Sequence, residues 1–429
     1  MQIINYNKPG GREMLDKVLS RARLDYTDAP AVVSKIIEDV KFGGDAALLK
    51  YTHKFDCDFI NETNILVTKD EINEAYGLID KNLAEIIKKS AKRIEDFHSR
   101  QKKSSWFDTY ENGEILGQMV LPLDKVGVYV PGGKAAYPSS VLMSLIPASV
   151  AGVKNIIMCT PPGKDGKINP AILVAASVAG AGKIFKAGGA QAIAAMAFGT
   201  GSVPKVDKIV GPGNIYVALA KRYVFGFVNI DSVAGPSDIL VIADKSANAK
   251  YVAADLLSQA EHDELAAAVL VTPCEELAFA VNAEFEKMLE KTPRSEIAKV
   301  SAQNNGAIIV VNTIEEAFEI SNKIAPEHLE ICVSDAFSML PYVKNAGAVF
   351  LGNYSPEPLG DYIAGPNHVL PTGGTARFFS PLNIDDFTKK TSILHFDKKS
   401  FESLADDCIT FAESEGLFAH ADSIRARFL

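Results

Sequence analysis

Cysteine is scarce and unpatterned in this chain of 429 residues: the five, Cys57, Cys159, Cys274, Cys332 and Cys408, are scattered, odd in number and never spaced as CxxC. This argues against thiolate metal ligation and for a reducing compartment, so the expected location is the cytoplasm. Long apolar runs are missing too. No stretch approaches the ~18 apolar residues of a membrane span, and the opening residues MQIINYNKPGGREML carry no apolar core of a secretory signal. Nor is positive charge concentrated anywhere. The net charge is −9, 23% of residues are charged and no basic tail or stripe occurs, so neither nucleic acid nor a membrane is an expected partner. Internal repeats and low-complexity tracts are absent. A dinucleotide fingerprint is lacking as well, because Gly180-Ala181-Gly182-Lys183-Ile184-Phe185 puts phenylalanine where the third glycine of GxGxxG belongs and precedes a strand instead of following one.

What is present is a soluble, mildly acidic composition with 47% hydrophobic residues. The length exceeds one ordinary core, so two large lobes with smaller appendages are expected. Residues 1 to about 100 read as helical, with amphipathic stretches over 31–51 and 70–101 and a break at Gly43-Gly44. From Lys125 the texture changes. Short β-branched runs that close on glycine or proline alternate with Ala-rich helical segments: KVGVYVPGG, NIIMCTPPG, KIFKAGG, KIVGPGN and ILVIAD, then AVLVT, AIIVV, LEICVS and AVFLG. Such βα units predict an α/β fold with largely parallel sheets, followed by a Gly/Pro-rich connector over 371–381 and a helical tail. The loops PGG, AGG and GPGN offer unhindered backbone N–H groups that could admit a pyrophosphate, and tight turns explain the same glycines.

Histidine is the last scarcity, and it is informative. Of seven, four sit in short polar runs: Ser258 to His262, Pro326-Glu327-His328, Gly365-Pro366-Asn367-His368 and Glu415 to His420. Together with Asp361 they supply imidazole, carboxylate and carboxamide for a hard-to-borderline divalent metal, with a carboxylate and an imidazole left for proton transfer. Ser246 reads as the N-cap of a helix over 247–264 on which Asp255, Gln259 and His262 share one edge. Gln259 and His262 could then reach one metal or substrate with Asp255 orienting them, or they are a hydrogen-bonded pair on an ordinary helix edge. Glu327 and His328 enter an alternating strand, where neighbours point to opposite sides and would serve two separate proton transfers; a solvated loop dipeptide is the alternative. The run from Gly360 to His368 is glycine-rich and polar at Asp361, Asn367 and His368, which fits a functional loop or an Asx-turn with a surface histidine. Glu415 and His420 flank a helix break expected at Gly416, where a histidine could also cap a helix end.

In order and spacing these runs resemble the histidinol dehydrogenase family over nearly the whole chain. The matching segments are Gly44 to Ala47, Val128 to Gly133, Gly188 to Ile193, Gly211 to Asn214, Ala234 to Ser237, Ser258 to His262, Ala325 to Glu330, Gly360 to Arg377 and Glu415 to His420. The resemblance implies that Gln259, His262, Asp361 and His420 bind one Zn²⁺ per site and that Glu327 and His328 are the catalytic acid/base residues. It further implies substrate contacts from Ser237, His368 and Glu415 beside Gln259, His262, His328, Asp361 and His420, and NAD contacts from Tyr129, Gln191 and Asn214. The implied architecture has two Rossmann-like lobes, an N-terminal arm over 1–24, a first lobe over 25–128 with 239–381 that carries metal and catalytic residues, a second lobe over 129–238 with the NAD contacts, and a tail over 382–429. Members of the family are homodimers in which this tail crosses to the partner's site. The implied reaction is the four-electron oxidation of L-histidinol through L-histidinal to L-histidine with two NAD⁺ and a water. One departure is visible: Asp238 stands where the family usually has glutamate after AGPS.

Two other readings use the same residues. A sister dehydrogenase acting on another small alcohol is opposed by His368 and Glu415, which match substrate contacts. A zinc hydrolase would use the metal and Glu327 to activate water for amide or ester cleavage, and formation of NADH separates it from a dehydrogenase. A non-catalytic metal-binding scaffold would have no use for Glu327 and His328 beside the metal set.

Overall fold

The computed structural model describes residues 1–20, 29–132, 137–233 and 235–428. The last residues of the expected N-terminal arm, Gly133 of VYVPGG and Ala234 of AGPS lie outside the described residues. In chain order the strands are β1 (Gln2–Asn5), β2 (Trp106–Thr109), β3 (Ile115–Pro122), β4 (Lys125–Tyr129), β5 (Asn155–Thr160), β6 (Lys183–Lys186), β7 (Lys208–Val210), β8 (Asn229–Ile230), β9 (Asp238–Ala243), β10 (Ala267–Thr272), β11 (Ala307–Val310), β12 (His328–Cys332), β13 (Ala348–Leu351) and β14 (Thr388–His395). They belong to two compact units, Met1–Gln101 with Asp124–Phe387, and Lys102–Leu123 with Thr388–Leu429.

The first unit contains two parallel sheets, ordered β6-β5-β4-β7-β8 and β1-β11-β10-β9-β12-β13. All nine β-branched runs of the sequence are strands here, and the α/β fold with largely parallel sheets is the fold observed. The reason is burial on both faces. Within β9 the residues Ile239 to Ala243 are all buried, as are Ala268 to Thr272 in β10, so these strands can be apolar without alternating. Leaving β1 aside, both sheets run third, second, first, fourth, fifth in chain order. That order creates a reversal between β4 and β7 in one sheet and between β9 and β12 in the other, and such reversals open crevices at the carboxyl ends of the strands. Helices are started by local chemistry: Asn169, Asn214 and Asn248 each accept a backbone N–H as N-cap, and Pro138 and Pro170 occupy first helical positions.

Several sequence expectations are corrected. The first residues are not helical, since β1 pairs in parallel with β11 from Gln2↔Ala307 to Asn5↔Val310. Four residues are too few to declare a period, and their partner lies 305 residues away, from Gln2 to Ala307. The break at Gly43-Gly44 does occur, with Gly44 at φ 55 and ψ −136 inside the helix Ala29–Phe55. The stretch 70–101 is two helices, Lys69–Leu78 and Lys81–Ser99, because Asp80 caps the second by accepting from Asn82 and Leu83. The helix expected over 247–264 runs Ala249–Ala260 with Asn248 as its N-cap, while Ser246 instead donates to Asp244 at 2.5 Å.

In the second unit β3 is the centre of an antiparallel sheet β14-β3-β2, paired with β14 from Pro122↔Thr388 to Ile115↔His395. The tail is therefore not wholly helical. Its helices, Lys398–Ser414 and Phe418–Arg425, follow β14 and are separated by Gly416 in the left-handed region at φ 74. No helix among the described residues is long and apolar enough to cross a membrane. All five cysteines are free thiols.

Candidate active site

The reversal between β9 and β12 brings Asp238 beside Glu327 and His328, at the amino ends of two adjacent strands. Ala325, the one non-glycine residue with positive φ among the described residues, ends the helix Ile314–Ile324 in the left-handed region and Pro326 follows it. The chain is thereby turned so that Glu327 N donates to Asp238 Oδ1 at 2.5 Å while Asp238 N donates to Glu327 Oε2 at 3.1 Å. His328 Nδ1 stands 3.1 Å from the Asp238 carbonyl oxygen. A carbonyl can only accept, so Nδ1 carries the proton and Nε2 presents its lone pair. That Nε2 is buried without a hydrogen-bond partner, 3.9 Å from Glu357 Oε1 and 3.9 Å from Asp361 Oδ1. Glu327 and His328 are both buried, Nδ1 being 3.9 Å from Glu327 Oε2, so the pair is a cross-braced unit and not a solvated dipeptide.

Asp361 and Glu357 come from a short helical turn, Glu357–Leu359, that continues as a wider turn over Gly360–Ala364. The ligand atoms of His328, Glu357 and Asp361 lie within 4.8 Å of one another. Glu357 is the residue that sequence reasoning missed. Its signal was its position four residues before Asp361, on the same side of a helical turn. It is held from behind: Glu357 N donates to Glu330 Oε1 at 2.8 Å, and Ser258 Oγ donates to Glu357 Oε2 at 3.3 Å. Gln259 is fully buried, and neither its carboxamide oxygen nor its nitrogen has a partner. His262 lies past the helix end, exposed, with its N–H donated to Gln259 O, and its charge acts on His328, His368 and Glu357. Asp255 does not orient these two residues; it faces Glu330, and two carboxyls hydrogen-bond only through a shared proton.

His368 Nδ1 is 4.0 Å from Asp361 Oδ1, and its Nε2 is 3.3 Å from Ser140 Oγ. Asn367 is structural: its Nδ2 donates to Met143 O at 2.7 Å and its Oδ1 accepts from Val369 N. Ser237 lines a cavity of about 300 Å³ with Asp238, Lys323 and Arg377. Glu415 and His420 belong to the second unit, Glu415 at the end of the helix Lys398–Ser414 and His420 in the helix Phe418–Arg425, both exposed there.

Burial dominates the electrostatics. It pushes the Glu327 carboxyl well above its usual range, helped by the charges of Asp238, Asp361 and Glu357. It lifts Asp238 to about 7 and raises Glu357 and Asp361. The imidazoles move the other way, His328 to about 3 and His368 to about 4, because burial disfavours their cations and His262 repels them. The site therefore holds neutral imidazole and carboxyls that accept protons readily. The imidazole and carboxyls of His328, Glu357 and Asp361, with ligand atoms within 4.8 Å of one another, are donors that fit a divalent ion, and His328 Nε2 has no hydrogen-bond partner.

A second constellation lies at the carboxyl edge of the other sheet. Tyr129 ends β4, Gln191 is in the helix Gly189–Phe198, and Asn214 caps the helix Ile215–Val224; all three line one cavity of about 1160 Å³. The β4/β7 reversal puts them there, and Gly211 permits it, since a Cβ at that position would come within 2.1 Å of Tyr129 O. Tyr129 OH accepts from Gly189 N at 3.1 Å. Gln191 Nε2 donates to Asp56 Oδ2 at 3.1 Å, and Gly188 N donates to the same oxygen at 3.3 Å. Asp56, which no sequence motif marked, is lifted to about 6 by burial against the opposing pull of the Gly188 N–H. A cavity of this size at the carboxyl ends of the strands beside a topological switch point suits a dinucleotide.

Comparison with known proteins gives one consistent finding. The family model described as histidinol dehydrogenase matches residues 19–428. The histidinol dehydrogenase of Clostridium acetobutylicum is 53% identical over 428 residues, covering 100% of this chain and 99% of that protein. That of Bacillus subtilis is 56% identical over 395 residues, with 92% of each covered. The crystal structure of the histidinol dehydrogenase from Elizabethkingia anophelis superposes with a TM-score of 0.94 at 41% identity, covering 100% of this chain and 98% of that one.

Proposed function

Because the chain belongs to the histidinol dehydrogenase family and is an oxidoreductase, we propose that it oxidises L-histidinol through bound L-histidinal to L-histidine, the last step of histidine biosynthesis, using one Zn²⁺ per site and two NAD⁺. The observation that carries this reading is the buried cluster of His328, Glu357 and Asp361, whose ligand atoms lie within 4.8 Å of one another and whose His328 Nε2 has no partner; the buried Gln259 carboxamide has none either. Each unmade buried hydrogen bond costs about 1–3 kcal/mol, so these unpartnered atoms speak for a bound group. Gln259, His262 and Asp361, with the partner subunit's His420, would hold the metal. The metal would supply Lewis acidity and an anchor for the substrate imidazole, and Tyr129, Gln191 and Asn214 would hold NAD⁺, which would supply the hydride acceptor.

The chain's own groups handle the protons. His328 Nε2, neutral and unpaired, takes the proton of the alcohol as the first hydride leaves, while its Nδ1–H stays fixed on the Asp238 carbonyl. Glu327 takes a proton from the water that adds to the aldehyde carbon, and its raised affinity for protons suits a base. The second hydride then leaves the hydrated aldehyde and yields the carboxylate. Ser237 and His368, with the partner subunit's Glu415, would orient the substrate, which the buried walls shield from bulk water. Free thiols and the absence of a basic stripe support a cytoplasmic enzyme that engages neither nucleic acid nor membrane, and the exposure of His420 in its own unit supports a homodimer with shared sites.

Incubation of the metal-loaded protein with L-histidinol and NAD⁺ tests the proposal. Two NADH should form per histidinol consumed without free aldehyde in solution, a strong chelator should abolish the activity, and Zn²⁺ should restore it. One NADH per turnover, or full activity in metal-free protein, would overturn it.

A further inference from the structure

Four carboxyl side chains line the cavity that holds Tyr129, Gln191 and Asn214: Asp56, Glu71, Glu74 and Asp165. Three have other engagements. Glu71 closes the capping box of the helix Lys69–Leu78 and bonds Lys186 at 2.5 Å. Glu74 is exposed and pairs with Lys167 at 3.3 Å, and Asp165 is exposed and accepts from Lys167 N at 3.1 Å. Asp56 alone is set at the start of the helix Gly189–Phe198, with one carboxylate oxygen pinned by Gly188 N and by Gln191 Nε2. Lys164 donates to the Asp56 carbonyl oxygen at 2.8 Å, and its charge acts on the carboxyl without a hydrogen bond to it.

In dinucleotide-binding sheets of this strand order, an acidic residue about 20 positions after the first glycine-rich turn receives the adenosine ribose hydroxyls. Here the glycine-rich run that follows β4 in the sequence is Pro131-Gly132-Gly133, and residues 151–163, which include the end of β5, contain no Asp or Glu. We infer that Asp56, supplied instead by the turn after the helix Ala29–Phe55, accepts the ribose hydroxyls of NAD⁺ and selects it over NADP⁺ by repelling a 2′-phosphate. The inference rests on the reading that this cavity holds the dinucleotide. Two features make the choice depend on this carboxylate. Its position is fixed before any ligand arrives, and Lys164, whose charge acts on the Asp56 carboxyl and which lines the same cavity, would favour a phosphate if Asp56 were neutral.

Binding of NAD⁺ and of NADP⁺, each titrated calorimetrically without histidinol, tests this on the wild type, Asp56→Asn and Tyr216→Ala. Asp56→Asn keeps the side-chain size and an oxygen for Gly188 N, so the fold is retained. Tyr216 is exposed on the cavity wall and reports on the cavity itself. The expected result is that Tyr216→Ala weakens NAD⁺ binding, and that Asp56→Asn weakens it about tenfold while narrowing the preference for NAD⁺ over NADP⁺ by about tenfold or more. If Tyr216→Ala weakens NAD⁺ but Asp56→Asn leaves the preference unchanged, the role of Asp56 is overturned and the cavity assignment stands. If neither substitution changes NAD⁺ affinity, the cavity assignment fails and the inference with it.

Discussion

His328 and Glu327 are neighbours in sequence but are held by different atoms of one residue, Asp238, through its carbonyl, its carboxylate and its N–H. The two roles should therefore come apart on mutation. Glu327→Gln should slow the aldehyde-to-acid half by roughly 10²- to 10⁴-fold, whereas His328→Asn should slow the alcohol half more. Supplying histidinal directly in single-turnover experiments isolates the second half, and equal losses in both halves for both variants would refute the assignment. Asp238 Oδ1 accepts from Glu327 N at 2.5 Å, so this short carboxylate braces the pair.

Strand order and turns do the larger positioning. β9 and β12 are adjacent because of the sheet reversal, and the segment from Glu357 to His368 must fold back to face them. Gly365 makes that return: its φ is 114, and a Cβ would sit 2.7 Å from Arg93 O. Gly365→Ala should therefore destabilise the protein by more than about 1 kcal/mol and displace Asp361 relative to His368. Lower metal content after dialysis and a raised KM for histidinol are the expected readouts. An alanine variant with wild-type melting temperature and zinc content would show that the turn has other ways to close.

For the molecule as a whole, burial of so many carboxyls makes stability depend on pH. Asp56 at about 6 and Asp238 at about 7 are raised from an ordinary 3.8, and Glu327, Glu330, Glu357 and Asp361 are raised as well. A raised folded pKa means stability that is complete below the unfolded pKa and lost as pH rises through the folded one. His328 and His368 oppose this only below 6.5, where the unfolded chain takes up their protons. Above that, the metal-free protein should lose stability with rising pH, and saturating Zn²⁺ should flatten the slope; urea midpoints across the range measure both, and a midpoint that rises would contradict the burial argument. Assembly is testable by complementation. If His420 serves the partner's site, His262→Asn and His420→Asn are each nearly inactive, yet refolding them together in equal amounts should restore about a quarter of the wild-type sites, given random pairing of a two-fold dimer. A mixture that stays inactive despite proven subunit exchange would mean that the tail serves its own chain.

The parallel sheets were legible from composition because strands buried on both faces must be apolar runs, and glycine and proline mark where each ends. Glu327, His328, Asp361 and His368 also stood out, since ionisable residues clustered in turn-rich segments have few structural uses. What stayed hidden depends on partners remote in the chain. β1 is a strand because β11 is there to pair with it, and β3 and β14 join residues 102–123 to the tail through pairing that no local pattern encodes. The helix Ala249–Ala260 starts late because Asp244 captures Ser246. Glu357 and Asp56 look like ordinary surface acids in sequence. Their meaning comes from burial and from neighbours on other elements, Glu330 and Ser258 for one, Gly188 and Gln191 for the other, and desolvation is a property of the packed fold and not of the residue.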